Sequence, residues 1–507
     1  MSNKEDFIKE IQNSYQYKGE KIILGKAKLD GEVLQDTEIS IALKTMNRHG
    51  LIAGATGTGK TKSLQILAEQ LSQKGVPSLL MDIKGDLSGI AKPGDANNKG
   101  IIERQQLLGL DYVPSGSPTE LLSLSNESGV RLRATVSEFG PILFSKILDL
   151  NETQSSIISI IYKYCDDKGL PLVDLDDMRK VLQYVSETEE GKKELTSNYG
   201  SISPASLGAI LRKIVALEQQ GATSFFGEPS FDIMDLMKMS DGKGVVNVLR
   251  LTDIQNKPSL FSTFMLSLLA EIYETLPEAG DLDKPKLVIF IDEAHLIFNE
   301  ASKALLDQIE TMVKLIRSKG VGLFFCTQVP GDVPDEVLSQ LGLKIQHALR
   351  GFTAKDRKQI QKAVENYPIS DYYKADEVIT QLGIGEAFVT ALNEKGIPTP
   401  LAYTHMRAPI SRMDILSSSE IQSLVNNSSL VNKYAQDLDK ETAYEILTKK
   451  MEQAVSPTPT TTKSRTRGRK KEEKSTLETI LTDSTTKSFL RTFGNELIRG
   501  LFGKVRK

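Results

Sequence analysis

The chain has 507 residues, 39% of them hydrophobic, enough for one large core with additions. Its formal charge of −3 is uneven: residues 455–507 carry 13 Lys/Arg against 5 Asp/Glu, a net +8, leaving −11 on residues 1–454. An acidic body excludes a surface coated for nucleic acid and confines any such contact to a channel or the basic tail, while two cysteines and four histidines exclude a disulfide framework and a His-based zinc site. With no apolar leader and no run of eighteen apolar residues, stable membrane insertion is not expected and a reducing, cytoplasmic setting is.

Residues 1–45 predict a short amphipathic helix, through Phe7, Ile8 and Ile11, followed by a small β element with Gly19, Gly25 and Gly31 among alternating residues. At about Met46 the pattern changes. His49-Gly-Leu-Ile-Ala53 reads as a buried strand, and Leu64, Leu67, Ala68 and Leu71 recur at helical spacing until Gly75. Between them lies GATGTGKT, Gly54 to Thr61, which fits G-x-x-x-x-G-K-[ST]. Strand, glycine loop and helix in that order aim several N–H groups and a helix dipole at one point, which suits a triphosphate. Gly54, Ala55, Thr56, Gly57, Thr58, Gly59, Lys60, Thr61 and Lys62 are the candidate ATP-binding residues. Lys60 is placed to reach the β- and γ-phosphates, and the Thr61 hydroxyl to hold Mg2+. Ser78-Leu-Leu-Met-Asp-Ile83 predicts the next strand and a βαβ unit; its end, Asp82, Lys84 and Asp86 around Gly85, is either a ligand edge or a polar turn.

The core's first part runs over 46–131, and a helical insertion over 132–241. Its helices are marked by Leu143, Ile147 and Leu150, by Ile157, Ile158 and Ile161, and by Leu207, Ile210, Leu211 and Ile214. The core resumes over 242–409. There Leu287-Val-Ile-Phe-Ile291 is a continuous apolar run followed at once by Asp292 and Glu293. At the carboxyl edge of a sheet Asp292 can hold Mg2+ and Glu293 can polarise the water that attacks the γ-phosphate. The strand Gly322–Thr327 ends at Gln328, which either senses the γ-phosphate or bonds the turn at Pro330-Gly331. Arg317, just before that strand, is a candidate trans-acting finger, with Arg350 the second candidate; a surface salt bridge is the plain alternative for both.

Residues 410–454 read as a charged helical extension, and 455–476, rich in Pro, Thr and Lys/Arg, as a flexible basic linker. Residues 477–507 predict an amphipathic helix with Phe489, Phe493, Leu497 and Leu501 on one face. That face suits docking on the body or on a neighbouring subunit better than a membrane surface.

The stretches NRHGLIAGATGTGKT, MDIKGDLSG, FGPILFSKILDLNETQ, FFGEPSFDIMDLM, LPEAGDLDKPKLVIFIDEAHLIF, LIRSKGVGLFFCTQVPGDVPDEVLSQLGLKIQHALRGFT and LGIGEAFVTALNEKGIPTP together cover roughly 18–410. They resemble the HerA/FtsK superfamily of hexameric DNA-pumping ATPases, and more closely its bacterial HerA-like, YjgR-type branch. The resemblance implies an α/β, RecA-like P-loop core of the additional-strand type, with a strand between the Walker A and Walker B strands. It further implies a homo-hexameric ring, ATP and Mg2+ as cofactors, double-stranded DNA as partner, Gln328 as sensor and Arg317 as finger. Just over fifty residues precede the phosphate loop, too few for the N-terminal β-barrel by which archaeal HerA docks a nuclease, and neither a winged helix nor a membrane span is expected. Motor chemistry is therefore expected, and a nuclease partnership is not. The expected function is a Mg-dependent DNA translocase or helicase. The alternative is a nucleotide-switched scaffold or protein-remodelling ATPase acting through a protein partner at the C-terminal helix or the insertion.

Overall fold

The computed structural model describes residues 2–455 except 255–256, 301–302, 352 and 436–440. The predicted linker and C-terminal helix lie outside the described residues. In chain order the strands are β1 (Lys21–Leu29), β2 (Glu32–Val33), β3 (Ile39–Ala42), β4 (Gly50–Ala53), β5 (Ser78–Asp82), β6 (Thr119–Ser123), β7 (Val130–Arg131) and β8 (Met239–Ser240). Then come β9 (Lys243–Gly244), β10 (Val246–Arg250), β11 (Leu287–Ile291), β12 (Val321–Thr327), β13 (Leu343–Gln346), β14 (Glu386–Thr390) and β15 (Ala402–Met406).

All but β8 and β9 join one 13-stranded sheet, ordered β2-β1-β15-β14-β13-β4-β12-β11-β5-β10-β6-β7, with β3 paired to β1. From β13 to β7 every neighbouring pair is parallel. The strands at its centre (β4, β5, β11 and β12) are buried at every residue, because connections of a parallel sheet cover both faces. Their sequences are accordingly continuous apolar runs rather than alternations. β12 stands between β4 and β11, the arrangement expected of an additional-strand core.

The N-terminal strands are part of this sheet rather than a separate element. β1 pairs antiparallel with β15, and β15 with β14, so the chain's start and its 386–406 segment close one side together. β1 alternates between buried and half-buried residues, as a strand covered on one face does. Helix α1 (Ser2–Ser14) supplies part of that cover through Phe7 and Ile11, 1% and 0% exposed.

Helix α2 (Lys60–Gln73) follows the phosphate loop and α3 (Lys99–Leu107) follows β5. The block between β7 and β8 is helical: α4 (Val136–Ile147), α5 (Glu152–Lys168), α6 (Leu175–Glu187), α7 (Glu189–Tyr199) and α8 (Pro204–Gln219). Capping boxes at Thr135, Asn151 and Asp174 start three of these helices. Phe139, Phe144, Phe225 and Phe226 pack edge to face within the block, and Phe225 meets Phe264 of α9 (Pro258–Thr275), whose sequence is apolar around much of its circumference. Residues 407–416, with 410–416 expected to be helical, instead form an irregular strap along α2. The buried Glu69 carboxylate accepts from the Ile410 and Ser411 N–H groups and from the Ser411 hydroxyl. Helices resume at Ser418–Asn426, Ser429–Tyr434 and Ala443–Val455. No described helix is long and apolar enough to cross a membrane.

Candidate active site

The glycine loop leaves β4 and is seated on the carboxyl ends of its neighbours. Gly54 N–H donates to the Thr327 carbonyl of β12 (3.2 Å), and Ala55 N–H to the Ala348 carbonyl just beyond β13 (2.8 Å). Gly54, Gly57 and Gly59 have φ of +153°, +78° and +119°, a region that L side chains rarely adopt. A Cβ on Gly54 would stand 2.5 Å from the Cβ of His347. His347 thus forms the floor of the loop. Its ring is fully buried, in contact with the Ser63 hydroxyl through Nε2 (2.8 Å) and the Glu386 carbonyl through Nδ1 (2.9 Å). Burial holds it neutral, with its pKa lowered to about 4.

Lys60 is buried and its ammonium donates to the loop's own carbonyls, Gly54 at 2.7 Å and Ala55 at 3.2 Å. Burial lowers its pKa and the nearby Lys84 charge lowers it further, against the pull of Glu293 and Asp292. Thr61 is half-buried at the start of α2. The Lys62 side chain donates to the Met413 carbonyl of the strap and not to the loop.

β11 lies two strands from β4, and register places its end level with the loop: Ile291 pairs with Phe325, and Thr327 with Ala53. Asp292 is 1% exposed, and its Oδ2 has no hydrogen-bond partner. Burial, before any charge effect, pushes its carboxyl up to about 7. A buried, unpartnered carboxylate oxygen in the field of Lys60 and Lys84 is the donor that a Mg2+ ion requires, and the glycine cradle admits phosphate oxygens that a Cβ would exclude. The residues fit Mg-nucleotide. Glu293 has φ +49°, rare for a long side chain. Its carboxylate pairs with Lys84, and His295 Nδ1 lies 3.2 Å from its other oxygen.

Asp82 serves the turn after β5, accepting from the N–H groups of Gly85 (2.7 Å), Asp86 and Leu87 (both 3.1 Å), whereas Lys84 serves the site. Gln328 is exposed beside Gly54. The turn that follows is held by Asp332, which accepts from the Thr327 hydroxyl (2.6 Å) and Val329 N–H (3.1 Å).

The two arginines lie at opposite edges of the sheet. Arg317 is exposed in the turn Ile316–Lys319 that precedes β12, at the amino edge, far from its own phosphate loop. With Arg48, Lys314, Lys344 and Glu365 it lines a cleft of about 470 Å³. Arg350 is at the carboxyl edge, where its guanidinium donates to the Thr380 carbonyl (2.6 Å). Arg350 therefore shares the edge of its own subunit's loop, while Arg317 does not.

Sequence reasoning missed His347, the pairing of Lys84 with Glu293, and Gly385, whose N–H donates to the Thr58 carbonyl (3.1 Å). One signal for His347 was available: a single histidine directly after a buried strand, Leu343–Gln346, beside the glycine loop's strand.

Comparison with known proteins shows the family and the fold. The family model described as Helicase HerA-like C-terminal matches residues 27–507. The DNA double-strand break repair helicase HerA of Sulfolobus acidocaldarius is 19% identical over 393 residues, 77% of this chain and 71% of that protein. A probable helicase of Methanocaldococcus jannaschii, MJECL08, is 25% identical over 389 residues, 73% of this chain and 68% of that protein. Among solved structures, the plasmid coupling protein TrwB in complex with the non-hydrolysable GTP analogue GDPNP superposes with a TM-score of 0.51 at 14% identity, over 80% of this chain and 95% of that one; it shares the fold. The chain belongs to the HerA-like helicase family, as an ATP-hydrolysing P-loop enzyme whose cofactors are ATP and Mg2+.

Proposed function

We propose that this protein is a cytoplasmic, ring-forming motor that couples ATP hydrolysis to movement on, or remodelling of, double-stranded DNA. The observation that carries this reading is the division of the catalytic groups between two edges of one sheet. Lys60, Asp292, Glu293 and Gln328 stand at the carboxyl edge, while Arg317 and Arg48, whose guanidinium groups have no hydrogen bond or ion pair among the described residues, stand at the amino edge. One subunit cannot bring the two sets together, whereas adjacent subunits of a ring can.

ATP would supply the transferred phosphoryl group; Thr61 and Asp292 would hold the Mg2+ ion, which would supply positive charge to offset that of the phosphates. Lys60 releases the Gly54 and Ala55 carbonyls and turns its ammonium to the β- and γ-phosphates. Glu293 takes a proton from the attacking water, which Gln328 orients. Arg317 of one subunit faces the nucleotide of the next and stabilises charge on the leaving phosphate.

The test is the ATPase rate with double-stranded DNA, single-stranded DNA and RNA, together with binding at low salt. Stimulation by duplex DNA is expected. A rate unmoved by every nucleic acid, with no binding at low salt, would remove DNA as cargo and turn the reading toward a protein substrate.

A further inference from the structure

We infer that Lys84 is a second lysine of the phosphate site, which holds the Glu293 carboxylate while no triphosphate is bound and exchanges it for the γ-phosphate when one arrives. This rests on the ATPase reading above.

Lys84 comes from the turn after β5 and reaches the carboxylate that follows β11, the adjacent strand. The turn is fixed by the three N–H groups that Asp82 gathers, so the base of the side chain is anchored. Its tip is not: the Lys84 side chain is 36% exposed against 8% for Glu293. When the pair parts, the ammonium is therefore the member that moves, and it opens onto the space above the loop. Lys60 and Asp292 both respond to the Lys84 charge, which places it within their field.

A γ-phosphate in that field carries more negative charge than one carboxylate and offers more oxygens, so it competes for the ammonium. A diphosphate ends one group short and does not. While paired, Glu293 has Oε1 turned to the ammonium of Lys84 and not to an attacking water. Released, it takes one proton of the attacking water as the new P–O bond forms and the bond to the β-phosphate oxygen breaks. Lys84 stays protonated throughout. Arrival of the triphosphate and arming of the base thus become one event.

The test is equilibrium binding of ADP and of a non-hydrolysable ATP analogue, both with Mg2+, to the full chain. The variants are Lys84→Ala, Lys84→Gln, Glu293→Gln and the Lys84→Ala/Glu293→Gln double. Either lysine variant is expected to weaken the analogue about tenfold and leave ADP nearly unchanged. Glu293→Gln is expected to tighten the analogue severalfold, because Lys84 no longer has a charged resting partner, and the double variant to lose that gain. Equal weakening of both nucleotides, no weakening, or additive effects in the double variant overturns the role of Lys84. Failure of the unaltered chain to bind either nucleotide overturns the ATPase reading itself and the inference with it.

Discussion

Asp292 and Glu293 are neighbours in sequence with opposite surroundings: one buried oxygen with no partner, and one carboxylate held by a lysine. Their replacements should differ accordingly. Glu293→Gln should bind ATP and turn it over about 10²–10⁴-fold more slowly, measured as single-turnover phosphate release. Lys60→Ala should lose nucleotide binding altogether, as read by calorimetry. Near-normal turnover in Glu293→Gln would mean that another group is the base. Gly54→Ala should lose binding for a different reason, since its Cβ meets His347 and its φ of +153° is unsuited to alanine. The two buried histidines give a pH signature. His49 and His347 both have folded pKa values of about 4, lowered mainly by burial, against 6.5 in the unfolded chain. The unfolded state therefore binds more protons between these values, so stability is full above pH 6.5 and is lost as pH falls toward 4, by on the order of 3 kcal/mol per ring. A urea midpoint flat between pH 7 and 5 would contradict neutral buried rings. Sequence made Lys60, Asp292 and Glu293 visible because each directly follows a glycine loop or an apolar run. His347 and Lys84 act through residues 284 and 209 positions away, and no local pattern records that.

At the scale of elements, the strap 407–416 and α2 form one unit. Glu69, Gln65 and Lys62 along one side of the helix all bond the strap. Glu69→Ala would leave the Ile410 and Ser411 donors without their acceptor, and should lower unfolding stability by roughly 3 kcal/mol, with α2 and the phosphate loop loosened first. Hydrogen exchange at residues 60–73 would show it; protection equal to that of the unaltered chain would mean the strap is incidental. The parallel strands were legible because strands buried on both faces leave uninterrupted apolar runs. The strap was not, since its partners are buried polar side chains on a distant helix. Nor was the pairing of β1 with β15: alternation reveals a half-covered strand but not its neighbour.

For the whole molecule, the opposed edges predict cooperation between subunits. Arg317→Ala should fold and bind ATP yet hydrolyse it about 10³-fold more slowly. Mixing it with Glu293→Gln subunits, which keep Arg317, should restore part of the activity. No recovery across mixing ratios would argue against action between subunits. The body's net −11 predicts that any DNA contact is confined, so that salt dependence of binding reflects few phosphates.

The position of β4 has a consequence for biosynthesis. It lies between β12 and β13, both made more than 250 residues later, and the floor of its loop, His347, emerges later still. A ribosome that has released the GATGTGKT segment has not yet supplied anything to support it. The nascent chain must grow by roughly 290 more residues, as far as His347, before the loop has its floor and nucleotide can fasten to it.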